Sequence, residues 1–337
     1  MNHIQIIVLS LLSSFLVSLL AIPVIRKIGE IYKIIDIPDE RKIHDKPLVR
    51  IGGTAIILGY FSSLLIVRNF YPETEVFSSS LNVINVLFIS NLLVFILGFV
   101  DDIISLSPFL RLTIQIIISA IIWDFGIKIS SLDLSIFNYI SPLDLTSWQS
   151  FLLTSLTIVG LMNALNWIDG LDGLAIGVTI FSLISFLLTG QEHNSEIVNL
   201  IIPSLLGGCF SFLLFNHHPA KIMMGDSGSN TLGFNLAFTG IICSSNNTIN
   251  DISINENYSI SFILPLIILI LPISDMAYVI ARRIANRRSP FLPDRSHIHH
   301  RLIDLGFNKS QSVYIIYFFS FLNLLLIISI INKIIFL

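Results

Sequence analysis

Five aspartates, two asparagines and three histidines stand out as residues able to do chemistry, and they fall in four short stretches. The run 163-NALNWIDGLDGLA-175 spaces Asn163, Asn166, Asp169 and Asp172 three apart. Asn163 and Asn166 at that spacing share one side of a helix. Gly170 and Gly173 then free the backbone to turn. The run 97-LGFVDDIISLSPFLRL-112 sets Asp101 beside Asp102 directly after an apolar stretch. Adjacent like charges repel unless a cation lies between them, so such a pair suits a base or a metal ligand. In 216-NHHPAKIMMGDSGSNTLG-233, small residues flank Asp226 just before an expected helix start. Unpaired N–H groups there favour phosphate, and Asp226 could hold Mg²⁺ beside it. Ser227 lacks any serine-hydrolase triad context. The fourth run, 282-RRIANRRSPFLPDRSHIHHRLIDLGF-307, gathers His297, His299 and His300 with Arg295 and Arg301. The H-x-H-H spacing flanked by arginines suits anion binding better than zinc, because imidazolium and guanidinium both pair with phosphate.

Acidic and basic groups thus occur together. Carboxylates meet phosphate through Mg²⁺, which takes oxygen ligands and joins one or two carboxylates to substrate phosphates. The chemistry predicted is phosphoryl transfer, where catalysis is mainly positioning and charge neutralisation.

The elements that must position these groups are apolar. The chain has 337 residues, 54% apolar and only 12% charged, with mean hydropathy +0.84. A soluble domain carries about 25% charged residues. The charges cluster between runs of roughly 15–22 apolar residues, the length that spans a bilayer. These features predict an all-α polytopic integral membrane protein, a single domain over 1–337. About ten transmembrane helices are expected, at 4–25, 51–68, 82–100, 110–129, 150–167, 173–190, 197–215, 230–244, 260–281 and 313–335. A large soluble domain is not expected, because no polar stretch exceeds a few tens of residues. The first apolar run has no basic residue before it and continues to Ile25, so it reads as a span and not a cleavable leader. Cys209 and Cys243 lie in apolar runs without disulfide or metal-thiolate spacing. The stretch 130–150 alternates apolar and polar residues and reads as a short hairpin or an interfacial helix.

Alternating sides puts loops 26–50, 101–109, 168–172, 216–229 and 282–312 on one face. Seven Lys and Arg residues lie in 26–50 and seven in 282–312, and Arg111 and Lys221 border the short loops. Only Arg68, Lys128 and Lys333 fall on the other side. Basic residues mark the cytoplasmic face. The four chemical stretches are therefore expected in the cytoplasm and both termini outside. The basic residues of 35-IDIPDERKIHDKPLVRIGG-53 fall at headgroup level, where they can meet an anionic lipid head.

Taken in order, DERKIHDKPLVRIGG, Asp101–Asp102, NALNWIDGLDGLA, GDSGS and HIHHR resemble the polyprenyl-phosphate N-acetylhexosamine-1-phosphate transferases. That family includes the MraY, WecA and TagO types and the eukaryotic dolichol-linked enzyme. The resemblance covers essentially the whole chain. It implies a bacterial inner-membrane enzyme in which undecaprenyl phosphate attacks the sugar-linked phosphorus of a UDP-N-acetylhexosamine, releasing UMP. It further implies Asn166 and Asp226 as Mg²⁺ ligands, with Mn²⁺ able to substitute. Asp226 would be catalytic together with Asp101 and Asp102, one of which would activate or position the lipid phosphate. Asp172 matches the uracil-recognising position, with Asp169 and Asn163 in the nucleotide pocket. His297, His299, His300 and Arg301 match the segment that recognises sugar and diphosphate. Arg111 stands where the family usually has Lys, and with Arg41, Lys42 and His44 it would meet the lipid phosphate. The H-I-H-H-R pattern looks like the WecA and TagO branch, not the MraY branch with its bulky muramoyl-peptide donor. It points to UDP-GlcNAc and to a product that primes a surface polysaccharide such as O-antigen or a teichoic acid linkage. The family suggests a homodimer, and no nucleic acid partner is expected.

Two rival readings fit less well. A CDP-alcohol phosphatidyltransferase needs Arg where Ile176 stands and later paired aspartates that are missing. A nucleotide-sugar or lipid-phosphate transporter gathers its polar groups near the bilayer midplane, whereas here they collect at one side. Asp275 is the one carboxylate deeper in a span, and it either lines the cleft or pairs with Arg282 or Arg283.

Overall fold

The computed structural model describes residues 3–37, 47–72, 81–132, 143–192, 196–244, 263–289 and 295–335. The described chain runs α1 (His3–Ile31), β1 (Ile35–Asp36), β2 (Leu48–Val49), α2 (Gly53–Phe70), α3 (Leu81–Ile104) and α4 (Pro108–Asp124). It continues with β3 (Ser131–Leu132), β4 (Leu143–Asp144), α5 (Ser147–Ile168), α6 (Leu174–Glu192), α7 (Glu196–Asn216) and α8 (Gly225–Ser244). It ends with α9 (Ile263–Ile268), α10 (Ile270–Ala285), α11 (Ile298–Asp304) and α12 (Lys309–Ile335). Six of these helices, α1, α2, α3, α5, α7 and α12, are long and apolar enough to cross a membrane. Among the described residues each predicted span falls largely on helix, with the ninth divided at Leu269 into α9 and α10.

Local sequence explains several boundaries. Ser107 caps α4, accepting the Leu110 N–H at 3.3 Å, and Pro108 fills the first turn, where its missing N–H is no loss. Thr146 and Gln149 form a capping box at the start of α5, satisfying two N–H groups that the helix itself leaves unpaired. Gly173, at φ +79°, turns the chain from α5 into α6, and its N–H is held by Asn216 Oδ1 at 3.0 Å.

α8 is the centre of the bundle. It packs against α2, α3, α5, α6 and α9, and every residue from Ser227 to Ile242 is buried. Its polar residues fix how it sits. Asn235 exchanges amide hydrogen bonds with Asn91 of α3. Asn230 accepts from Gln115 of α4 at 3.4 Å, and Gln115 in turn accepts from Asn163 of α5 at 2.7 Å. A one-turn slip would break these contacts between helices and strand the amide oxygens in an apolar interior, at about 1–3 kcal/mol each. Toward the outside, α1 buries Ser10, Ser14 and Ser18 against α2 and α7. Ser18 Oγ donates to the Ala55 carbonyl and Ser63 Oγ to that of Ser10, both at 2.9 Å. Small residues of this kind let membrane helices approach closely. The opposite face exposes Ile4, Val8, Leu12, Leu16 and Leu20, apolar where a soluble helix would be charged.

Two short hairpins shape the connections. β1 pairs antiparallel with β2, Ile35 opposite Val49. The chain after β2 then joins the segment before α8. Met223 N donates to Val49 O at 2.8 Å, Gly52 N to Met223 O at 2.9 Å, and Gly53 N to Met224 O at 2.8 Å. β3 and β4 close the stem of a second hairpin, the first of the two forms expected for 130–150.

The structure differs from the sequence reading in three places. The loop expected at 101–109 contracts, because α3 runs through both aspartates to Ile104 and α4 begins at Pro108. α8 begins five residues earlier than expected, at Gly225, so Asp226 lies inside its first turn. The basic stretch 282–312 contains the end of α10 and a short helix, α11. Arg41, Lys42 and His44 lie outside the described residues.

Candidate active site

Four helix ends meet where the chemical residues lie. Gly225, at φ +74°, delivers the chain into α8, and the cap of that helix comes from α3. Asp102 accepts the Asp226 N–H on Oδ1 at 2.8 Å and the Ser227 N–H on Oδ2 at 3.0 Å. A carboxylate thus occupies the helix N-terminus where phosphate was expected, and the attraction is the same one. The contact needs bare backbone on both sides. A Cβ on Gly98 would lie 2.6 Å from Ser227 Cα, and one on Gly53 would lie 2.3 Å from Gly228 Cα.

Two arginines offset part of the charge of the three carboxylates. Arg50 Nε donates to Asp102 Oδ1 at 3.2 Å, and its Nη2 lies 3.8 Å from Asp226 Oδ2. Arg111 Nη1 donates to Asp101 Oδ2 at 2.8 Å and lies 3.5 Å from the same Asp226 oxygen. Asp101 Oδ1 is taken by the Leu106 N–H at 2.6 Å. The Asp102 side chain is 0% exposed, while that of Asp226 is 20% exposed. Asp101 and Asp102 therefore have their oxygens engaged and buried, and Asp226 is the most exposed of the three carboxylates.

Asn166, at the last turn of α5, donates to Asp226 Oδ1 at 2.7 Å and to Ser229 Oγ at 3.0 Å. The pair offers an amide oxygen and a carboxylate, both hard donors. That set fits Mg²⁺, which keeps several waters and completes its shell with substrate phosphates. Among the described residues no three His, Cys, Asp or Glu side chains form a metal cluster. Asn163, one turn earlier, faces Gln115 and the Val159 carbonyl. The structure uses it to join helices and does not bring it to Asp226.

Beyond Asn166 the loop 169–173 borders a cavity of about 170 Å³ lined by Asp169, Asp172, Asn216, His218, Ala220 and Leu48. Asp172 Oδ2 accepts from His218 Nδ1 at 2.8 Å and from the Ala220 N–H at 3.1 Å. Burial, joined by the negative charges of Asp226, Asp102 and Asp172, pushes the Asp169 carboxyl up to about 8. The site is rich in negative charge and would favour a cation.

The H-x-H-H-R segment closes another side. His297 Nδ1 donates to the Asp275 carboxylate at Oδ2, 2.8 Å away, and Asp275 Oδ1 accepts the Ile298 N–H at 2.7 Å. Asp275, expected either to line the cleft or to pair with Arg282 or Arg283, thus spends its oxygens on His297 and the start of α11. The His299 ring stacks on His297 with centroids 5.7 Å apart. A Cβ on Gly170 would lie 2.2 Å from His299 Nε2, so α11 rests on the 169–173 loop. His300 lies next to His299 at 4.3 Å. Arg301 lies over the Tyr278 ring at 4.5 Å. Burial, then the charges of His300 and His297, hold the His299 imidazole well below its usual pKa.

The structure brings together Asp101, Asp102, Asn166 and Asp226, all four singled out by residue type and spacing. The sequence reading missed Arg50, one of seven cations in its loop, whose partners are 52 and 176 residues away. It also missed His218, although the surrounding NHHPAK reads as a loop of the same face.

The architecture is that of a helical protein with long apolar helices and an acid–base site where their ends meet. Residues 84–244 match glycosyl transferase family 4. Over 94% of its length the chain is 31% identical to "Probable undecaprenyl-phosphate N-acetylglucosaminyl 1-phosphate transferase" of Bacillus subtilis, spanning 82% of that protein. It is 30% identical to "Decaprenyl-phosphate N-acetylglucosaminephosphotransferase" of Mycolicibacterium smegmatis, over 83% of this chain and 71% of the relative. It is 28% identical to "Undecaprenyl-phosphate alpha-N-acetylglucosaminyl 1-phosphate transferase" of Escherichia coli K12, over 91% and 79%. The chain belongs to glycosyl transferase family 4, with the polyprenyl-phosphate sugar-1-phosphate transferases as its relatives.

Proposed function

We propose that this chain transfers N-acetylglucosamine-1-phosphate from UDP-GlcNAc to undecaprenyl phosphate, at the cytoplasmic face of a bacterial inner membrane that it spans about ten times. The observation that carries the reading is Asp226, the most exposed of the three clustered carboxylates, with Asn166 on one side and two guanidiniums on the other. A doubly charged phosphate and a diphosphate must be brought together for this reaction, and their repulsion is the main barrier to positioning.

An oxygen of the lipid phosphate attacks the sugar-linked phosphorus of the donor. The new bond forms as the bridging oxygen between the two donor phosphates departs with UMP. Asn166 and Asp226 would hold Mg²⁺, which supplies charge neutralisation at the diphosphate when bound. Arg111 and Arg50 lie close enough to Asp226 to turn their remaining N–H groups toward phosphate oxygens, and guanidinium forks match that geometry. Asp101 and Asp102 act by holding those arginines and the start of α8. A lipid phosphate is already largely ionised near neutral pH, so no base is required. Asp172 and Asp169 border the nucleotide cavity, and His297, His299, His300 and Arg301 border the sugar diphosphate. The basic residues Arg41, Lys42 and His44 meet the lipid headgroup.

The test is transfer of label by purified protein in detergent, from UDP-[³H]GlcNAc to undecaprenyl phosphate with Mg²⁺. Label in lipid, release of UMP and loss of both with EDTA are expected. Folded protein that transfers from no UDP-sugar would overturn the reading.

A further inference from the structure

We propose that Asp275 and Tyr278 of α10 are positioning residues for donor recognition, together fixing how His297 and Arg301 are presented to the sugar nucleotide. The proposal rests on the assignment of the H-x-H-H-R segment to the donor, made above.

α11 has seven residues, too few to hold a helix unaided. Its orientation must come from what it rests on. Asp275 and Tyr278 are three apart on α10, and His297 and Arg301 are four apart at α11, so each pair lies along one face of its helix. The pairs meet in register. Asp275, its side chain 5% exposed, spends one oxygen on His297 Nδ1 and the other on the Ile298 N–H. One carboxylate therefore anchors the ring and caps the helix that follows it. Tyr278 lies beneath the Arg301 guanidinium at 4.5 Å.

Both contacts determine what the two groups can offer. An imidazole tied through Nδ1 presents only Nε2 outward. A guanidinium lying over an aromatic ring keeps its edge N–H groups free for a planar, two-point contact with phosphate oxygens. The same template reaches the metal-binding pair. Trp167 meets the His297 ring edge-on at 5.9 Å, and Arg283 of α10 lies over Trp167 at 5.0 Å. Trp167 follows Asn166 directly on α5. The donor-binding groups and the Asn166–Asp226 pair are thus referenced to the same turn of helix.

The experiment compares Asp275→Asn, Tyr278→Leu and Tyr278→Phe in the full-length protein. KM is measured for UDP-GlcNAc and for undecaprenyl phosphate, with kcat, UDP-GlcNAc affinity by calorimetry and thermal unfolding on the same samples. Asparagine has one acceptor oxygen for two N–H groups, so His297 loses its anchor or α11 its cap. Asp275→Asn and Tyr278→Leu are expected to raise the donor KM and Kd about tenfold, with the lipid KM within about twofold. Tyr278→Phe keeps the ring and should behave as wild type. Tyr278 is 42% exposed, so its variants test the proposal even if Asp275→Asn does not fold. An unchanged donor KM and Kd in folded Tyr278→Leu, or an equal rise in the lipid KM, would overturn it. Wild-type protein that neither binds nor transfers from UDP-GlcNAc would instead sink the donor assignment, and this proposal with it.

Discussion

Asp102 and Asp226 are joined through the backbone: the Asp102 carboxylate receives the N–H of Asp226 at 2.8 Å and that of Ser227 at 3.0 Å. One aspartate of the site thus sets the position of the other. Asp102 also holds Arg50, so a single buried carboxylate organises a helix start and a guanidinium.

Asp102→Asn should therefore act on stability as well as on transfer. It leaves Arg50 without its closest partner and one N–H of α8 without an acceptor. Removing one partner from a buried charged pair costs about 3–5 kcal/mol. Thermal unfolding in detergent should move down by several degrees as transfer falls. A variant that unfolds at the wild-type temperature yet cannot transfer would make Asp102 a reacting group and not an architectural one.

Asp226→Asn should divide the two effects the other way. Arg50 and Arg111 keep Asp102 and Asp101, so the fold stays close to wild type. With Asp226 as the proposed Mg²⁺ ligand, its loss would remove several kcal/mol of charge stabilisation, on the order of a thousandfold in rate. On the same proposal Mg²⁺ should raise the unfolding temperature of the wild type and not that of the variant. Near-normal turnover would take Asp226 out of the metal site.

The Asn91–Asn235 pair invites a double-mutant cycle. Either single change to Leu strands the other side chain's amide oxygen in the interior, its NH₂ keeping a carbonyl of its own helix, and should cost about 1–3 kcal/mol. The double change strands neither, so its cost should fall short of the sum of the two. Additive losses would show that the amides are satisfied separately.

His299 gives the pH dependence. Burial, with His300 and His297 nearby, holds its folded pKa well below the usual value. Between that pKa and about 6.5 the unfolded chain binds the proton and the folded protein does not. Stability should therefore be full above about pH 7, decline as pH falls through 6.5, and level off below the folded pKa. His299→Phe keeps a ring against Gly170 without the proton, and its unfolding temperature should fall less between pH 7 and 5. Equal acid losses in both proteins would show that another group is responsible.

Much of this was legible in the sequence because apolar length and charge placement are local signals. The runs 4–25 and 82–100 need no tertiary information to read as helix. The start of α8 was misplaced because its cap is Asp102, 124 residues earlier, and no window around GDSGS contains it. α11 read as loop because its helix is short and templated by Asp275. The acidic members of the site stood out against an apolar chain. Arg50 did not, since nothing distinguishes it from the other cations of its loop until β2 and the residues after it pair with Met223 and Met224.

The central position of α8 also bears on how the protein is made. This helix carries Asp226, Asn230 and Asn235, and it is not among those apolar enough to cross a membrane unaided. Its partners α2, α3 and α5 leave the ribosome first and can form the groove that receives it. The chain is thus written in an order that prepares a polar berth before the polar helix is synthesised. A nascent chain halted after α7 would hold Asn91 without Asn235 and Gln115 without Asn230.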